Sequence, residues 1–457
     1  MIKFSSFTTF FLLSFLSYSE ARSQITSFFL NNGMEVVVIE DHRAPIVTHM
    51  VWYKAGAADE ISGKSGVAHL LEHLLFKETK NVRTGEFSKK VESLGGSDNA
   101  FTSQDYTGYY QRVSSDYLEL VMYYESDRMK NLVISEKDFK TELDVVIEER
   151  NQRTDSNPSA LFNEQNMASL YLNHPYGIPI VGWRHELDNL TRKDVINFYN
   201  RYYAPNNAIL IVAGDVEPNK VKLLAEKFYG KIERTNNLTD RVRPTEPPQI
   251  AQRRLIFEDE RVSQSYLVRT YIAEERNNGK QINAAALTLL ADLLGSDGIQ
   301  SILGKELQLN SKKAIYTNAY YDGRSYDDTN FSLIAVPSEG VSLEEIEIEL
   351  DGAINDLLLN GIDEKHLNRI KFQYKAHQIY ALDSAFSQAR RFGAALTSGL
   401  KVEDVLAWPS ELQEIDSVDI LKAAKLLFKK EKSVTGWIRR RYQVHKSVEP
   451  YTEILFY

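Results

Sequence analysis

Apolar and polar positions along this chain follow two different rhythms, and the changes between them predict its elements. Met34-Glu35-Val36-Val37-Val38-Ile39-Glu40 and Ile46 to Tyr53 are short runs rich in β-branched and aromatic residues, which predicts strands. Asn31-Asn32-Gly33, between Phe28-Phe29-Leu30 and the first of those runs, is a hairpin signal, because Asn and Gly adopt the left-handed conformations a tight turn demands. Gly63 to Gly66 then open a segment in which Leu70, Leu71, Leu74 and Leu75 give apolar surface nearly all round, the pattern of a buried helix. Gly95-Gly96 leads into Asp98-Asn99-Ala100-Phe101-Thr102-Ser103 and the alternating Tyr106 to Arg112, two further strands. Thr141 to Arg150 reads as a helix with Leu143, Val146 and Ile147 on its core stripe.

Thr235 to Gln249, with Asn236-Asn237, Pro244 and Pro247-Pro248, reads as a linker. The chain then starts again: Leu255-Ile256-Phe257, strand-like Tyr266 to Tyr271 and a helix over Gln281 to Leu294 echo the order of the first half. Leu289-Leu290-Ala291-Asp292-Leu293-Leu294 lies against Leu70 to Leu75, with Thr288, Ala291 and Asp292 standing where His69, Glu72 and His73 stand in the first copy. The division expected is therefore residues 22–234, a linker over 235–250 and a degenerate second copy over 251–457. A length of 457 residues, 43% of them hydrophobic, is enough for two substantial cores.

The N-terminus adds a compartment. Lys3 precedes the apolar run Phe10 to Leu16, and Ser19-Glu20-Ala21 offers the small residues a signal peptidase inspects, so residues 1–21 read as a cleaved export signal and the chain as exported, into a periplasm. No other run approaches the roughly 20 apolar residues of a membrane span, so none is expected in the mature chain. A net charge of −9, with no basic block longer than Arg439-Arg440-Arg441, excludes a nucleic-acid footprint and leaves cationic or neutral peptides as natural partners. The absence of cysteine removes disulfides, thiolate metal ligands and thiol nucleophiles.

Chemistry enters with His69-Leu70-Leu71-Glu72-His73. Residues four apart on a helix stand one above the other, so two imidazoles present themselves to one point. Glu72 can then reach a water beside a zinc ion without taking a ligand position, and so serve as general base. A third ligand and a supporting carboxylate fit the acidic helix that follows, where Glu142 and Glu149, seven apart, share a face. By spacing alone Glu148 is nearly as good as Glu149.

Gly66 to Lys77 together with Val145-Val146-Ile147-Glu148-Glu149-Arg150 closely resembles the pitrilysin family of inverted zincins, in the branch of mitochondrial processing peptidase and its bacterial relatives. Gly95 to Thr102, His174-Pro175-Tyr176-Gly177 with Gly182-Trp183, and Tyr203 to Asn207 leading into Gly214-Asp215 extend the likeness over the N-terminal half. The resemblance implies one zinc ion per chain held by His69, His73 and Glu149, with Glu72 as base and Glu142 as auxiliary glutamate. It implies an α+β fold of two homologous α/β-sandwich halves, each a mixed, mainly antiparallel sheet packed by helices, forming a clam-like pair. It also implies a zinc metalloendopeptidase acting on short or unfolded peptides, with Asn99 and Ala100 contacting the substrate where it adds to an edge strand.

Single-chain members of that family carry an Arg and, seven residues on, a Tyr in the C-terminal half. Here the matching positions are Gln308 and Ile315, or, one residue later, Leu309 and Tyr316. The missing Arg implies a heterodimer in which this chain bears the metal and a homologous subunit supplies Arg and Tyr. The alternatives are a non-catalytic scaffold subunit of the same fold and an organellar presequence-processing peptidase.

Overall fold

The computed structural model describes residues 24–441. The expected export signal over residues 1–21 lies outside them.

The first half builds a sheet from β1 (Ile25–Phe29), β2 (Glu35–Glu40), β3 (Ile46–Tyr53), β4 (Ser97–Thr102), β5 (Thr107–Ser114) and β6 (Ala208–Gly214), in the order β1-β2-β6-β3-β5-β4. β2 and β6 run parallel, and every other pair is antiparallel. The second half builds a sheet from β7 (Arg253–Asp259), β8 (Tyr266–Ala273), β9 (Ala314–Tyr321), β10 (Thr329–Pro337) and β11 (Ser433–Arg440), in the order β7-β11-β8-β10-β9. Only β7 and β11 run parallel there. Strand for strand, β2, β6, β3, β5 and β4 match β7, β11, β8, β10 and β9, so the repeat expected from the leucine-rich helices holds at the level of topology. β1 is an extra edge strand with no second-half counterpart among the described residues.

The inner strands of the first sheet are buried on both faces, which explains their unbroken apolar runs. Val36, Val38, Leu210 and Val212 pack with the half's own helices. Val37, Ile39, Met50, Trp52, Ile209 and Ile211 face the other way, onto Ala389 and Phe392 of the helix Ala385–Thr397, which belongs to the second half. The loan is returned: Phe162, on the first-half helix Pro158–Leu170, packs with Val262 and Ile438 and against Leu255, Phe257 and Tyr266 of the second sheet. Both contacts depend on a missing side chain, since a Cβ on Gly393 would lie 2.0 Å from the Trp52 ring and one on Gly436 would lie 2.4 Å from that of Phe162.

The helix carrying the histidines, Val67–Leu74, lies between β3 and β4, as Ile282–Ala291 lies between β8 and β9. Leu70, Leu71 and Leu74 are fully buried in the first core, as their pattern predicts. Its start is held by the Glu60 carboxyl group: the Gly66 and Ala68 N–H groups donate to its two oxygens at 2.9 and 2.7 Å, although burial raises that group well above its ordinary value. Gly66 sits at φ 90° against Gly182, and a Cβ there would come within 2.7 Å of the Val181 carbonyl oxygen. That close approach is what the glycine ahead of the motif is for.

The segment read as a linker forms no helix or strand from 235 to 252, but it is far from inert. Arg241 donates to Asp59, and Arg243 donates to Asp59 at 3.1 Å, Asp105 at 2.6 Å and Asp327 at 2.9 Å. The Arg243 side chain is 5% exposed, and Asp59 and Asp105 are each 6% exposed. One buried guanidinium thus joins two carboxylates of the first half to one of the second. Composition marked this stretch as turn-rich and gave no sign of a buried cation.

Candidate metal centre

The helix Val67–Leu74 crosses the helix Glu136–Arg150, and the two present three donor atoms to one point. Glu149 Oε2 lies 3.7 Å from His69 Nε2 and 3.4 Å from His73 Nε2. The imidazole planes are inclined at 77° with centroids 4.9 Å apart. Ligand atoms about 2.0–2.1 Å from a tetrahedral zinc ion sit about 3.4 Å from one another, so these separations are those of ligands arranged around a metal. His69, His73 and Glu149 form the one group of three or more potential ligands this close among the described residues. Glu148 turns away to solvent, accepting from Asn151 and Gln152, so the geometry favours its neighbour where spacing could not.

Electrostatics suits the donor set. Burial pushes the His69 imidazole down to about 4, with His73 and Arg153 nearby adding to the effect, so its ring is neutral at pH 7 and keeps a lone pair to offer. His69 Nδ1 is buried with no protein partner among the described residues. His73 is also desolvated, yet its ordinary value is raised, because Glu142 and the other carboxylates outweigh burial. His73 Nδ1 faces Glu142 Oε2 at 3.3 Å, which fixes the tautomer that leaves Nε2 pointing at Glu149. The Glu142 carboxyl is held below its usual range by that bond and by Lys77, whose Nζ lies 2.5 Å from its second oxygen. Arg153, on the turn after the helix, pairs with the outer oxygen of Glu149.

Glu72 stands outside the ligand triangle. Thr102, at the end of edge strand β4, donates to its Oε2 at 2.5 Å, and burial raises the carboxyl above its ordinary value. β4 is thereby tied to the helix of the histidines. Asn99 and Ala100 lie on the same strand: Asn99 is exposed, and its Oδ1 accepts from the Ala100 N–H at 2.8 Å, covering a backbone donor that the neighbouring strand does not use. In the second half, Gln308 donates to Thr317 at 2.8 Å, while Ile315 and Tyr316 are 59% and 50% exposed on β9. Thr102, Lys77, Glu60 and Arg153 were not singled out by sequence. Only Thr102 carried a signal, as the last polar position of the strand after Gly95-Gly96.

Replacing Glu142 by Gln keeps an acceptor near His73 and removes its charge. The expected result is a zinc affinity lower by about 10–100-fold, measured by competition with a chelator. Unchanged affinity would show that Glu142 does not tune His73.

Comparison with known proteins places this geometry. Residues 35–183 match the family described as "Insulinase (Peptidase family M16)", and residues 189–374 match "Peptidase M16 inactive domain". The zinc protease PqqE of Helicobacter pylori is 31% identical over 429 residues, covering 93% of this chain and 94% of the relative. An uncharacterized zinc protease of Bacillus subtilis, YmxG, is 25% identical over 362 residues, covering 79% and 85%. The crystal structure of a protease from Helicobacter pylori superposes with a TM-score of 0.84 at 30% identity, over 92% of this chain and all of that one. The periplasmic protease PqqL of Escherichia coli shares the fold at 18% identity and a TM-score of 0.78, and this chain spans 48% of its length. With two halves of matching topology, an inverted His-Glu-His helix and a near full-length relative at this identity, the chain belongs to the insulinase family of peptidases, M16.

Proposed function

We propose that this chain is a zinc-dependent metalloendopeptidase that hydrolyses short or unfolded peptides. The observation that carries the reading is the convergence of His69, His73 and Glu149 on one point, with the desolvated Glu72 beside it. His69, His73 and Glu149 would hold the ion, with Glu142 orienting His73, and zinc held there would supply Lewis acidity toward a water and a peptide carbonyl. Glu72 takes a proton from the attacking water and delivers it to the departing amine nitrogen, with Thr102 holding the carboxylate in position. β4, an edge strand whose Ala100 N–H is covered only by the Asn99 side chain, receives the peptide as an added strand once Asn99 swings aside. Such recognition reads backbone, which suits unfolded substrates.

Three further parts of the reading rest on sequence. Residues 1–21 direct export to a periplasm. The functional halves divide at 235–250, residues 22–234 bearing the metal and 251–457 the degenerate copy. A homologous subunit completes the site, because neither Gln308, engaged with Thr317, nor Ile315 is an Arg or Tyr able to stabilise an oxyanion. One such donor is worth about 3–4 kcal/mol.

The test is to purify the exported chain, count zinc per chain and assay hydrolysis of unstructured peptides. One zinc per chain is expected, with slow turnover that chelation abolishes and zinc restores. Addition of the co-purifying homologous subunit is expected to raise the rate by on the order of 10²-fold or more. Full turnover by the isolated chain would remove the heterodimer, and a zinc-loaded pair without hydrolysis would favour the scaffold alternative.

A further inference from the structure

β4 has two faces, and the chemistry proposed above uses one. Thr102 turns toward Glu72, and Ala100 packs on the first core. Phe101 turns the other way, onto Trp52 at 4.7 Å between ring centroids, and there it meets the helix lent by the second half. The Arg390 guanidinium lies 4.0 Å from the Phe101 ring centroid. No hydrogen bond or carboxylate partner engages that guanidinium among the described residues. Stacking occupies the faces of a guanidinium and leaves its in-plane N–H donors directed outward, in the fork that matches a carboxylate.

The surroundings are cationic. Arg391, next along the helix, has its Nε buried without a partner. Arg324, at the tip of the β9–β10 hairpin, is held by two bonds to Asp322, the carboxylate that shares this neighbourhood with Tyr106. Around Tyr106, Arg324 and Arg390 thus stand with one carboxylate, Asp322, which Arg324 already engages. Beyond Ser103 and Tyr106, which follow β4, a cavity of ≈ 590 Å³ opens between the halves, lined also by Asp105, Glu164, Asp322 and Arg324 but by neither Arg390 nor Arg391.

A peptide strand laid along β4 places successive side chains on alternate faces. If one residue at the cleaved bond faces Glu72 and Thr102, its neighbour in the peptide faces Phe101 and Arg390. We propose that Arg390 receives an acidic side chain of the substrate next to the cleaved bond, so that the preferred substrates are peptides with Asp or Glu at that position. This rests on the peptidase reading and names its substrate class. It also reverses the expectation drawn from net charge: a total of −9 describes the whole surface, whereas the group stacked on Phe101 of β4 is a cation.

The test uses fluorogenic peptides identical except for Glu, Gln or Lys at each position flanking the cleaved bond, with the zinc-loaded chain and its Arg390→Met, Arg390→Lys and Arg390→Glu variants. The wild type is expected to favour Glu over Gln by about tenfold in kcat/KM at one position. Arg390→Met should bring that ratio to about one, Arg390→Lys should retain part of it, and Arg390→Glu should favour Lys. Thermal melts establish that each variant is folded, and should the Glu variant fail, the Met and Lys variants decide. Binding of the same peptides to zinc-loaded Glu72→Gln protein, read by fluorescence anisotropy, gives the preference without turnover. A preference for Lys, or a preference for Glu that ignores Arg390, overturns the inference and leaves the peptidase reading intact. Arg390-dependent binding of Glu peptides without cleavage by the wild type sinks the peptidase reading instead.

Discussion

Glu72→Gln should bind zinc as the parent does and lose peptide hydrolysis by about 10²–10⁴-fold, the usual contribution of a positioned general base. The reasoning is geometric. Glu72 is no part of the donor triangle that Glu149 Oε2 makes with the two histidines at 3.4 and 3.7 Å, so its loss leaves the ligands in place. Gln is nearly isosteric, and its carbonyl oxygen can still accept from Thr102, but an amide cannot take a proton at neutral pH. His69→Ala and His73→Ala should differ from it by losing the metal as well, since each removes a ligand. Zinc content and kcat/KM measured together separate the two outcomes. A Glu72→Gln protein that cleaves at the parent's rate would end the assignment of this residue as base.

Arg243→Ala should destabilise the folded chain by about 3–5 kcal/mol, although residue 243 lies far along the sequence from the metal centre. The guanidinium is almost wholly buried and bonds Asp59, Asp105 and Asp327. Deleting it leaves carboxylates desolvated and mutually repelling, which costs more than the loss of any one bond. Arg241 relieves Asp59 only. Because Asp327 comes from the second half, the two halves should also part more readily, visible as faster proteolysis within 235–252 and a lower melting temperature. Arg243→Lys should recover part of the loss, a point charge being unable to span all three partners. Melting at the parent's temperature would show that the triple bridge contributes nothing.

The sequence is explicit where function is local and silent where it depends on distant chain segments meeting. His69, Glu72 and His73 sit within one helical turn, so periodicity alone aligns them. Spacing alone could not tell Glu149 from Glu148, which needed the family resemblance or the knowledge of which side of the helix Glu136–Arg150 faces the histidines. The clamp of Glu60 on the helix start joins residues six and eight apart across a turn, and no short motif encodes it. Arg390 meets Phe101 from nearly three hundred residues away, and only the exchange of helices brings them together. The repeat was legible in the leucine-rich helices. It is also written in Asn99-Ala100 of β4 and Asn318-Ala319 of β9, where each Asn Oδ1 accepts from the following N–H at 2.8 and 2.9 Å. A match of two residues carries too little information to be noticed without the strands around it.

That exchange of helices also bears on ancestry. A lone copy of the repeated unit, keeping its own helix folded elsewhere, would show water a sheet face paved with Val37, Ile39, Met50, Trp52, Ile209 and Ile211. Each residue of that patch is fully buried today, and so large an apolar area is sticky when bare. Before gene duplication joined the copies, a single-unit forebear would have had to meet itself as a twofold pair, each molecule roofing its twin with the segment now represented by Pro158–Leu170 and Ala385–Thr397. Fusion would have freed one site to decay, leaving the second copy, with Thr288, Ala291 and Asp292 in place of a metal-binding set, as the roof for the first.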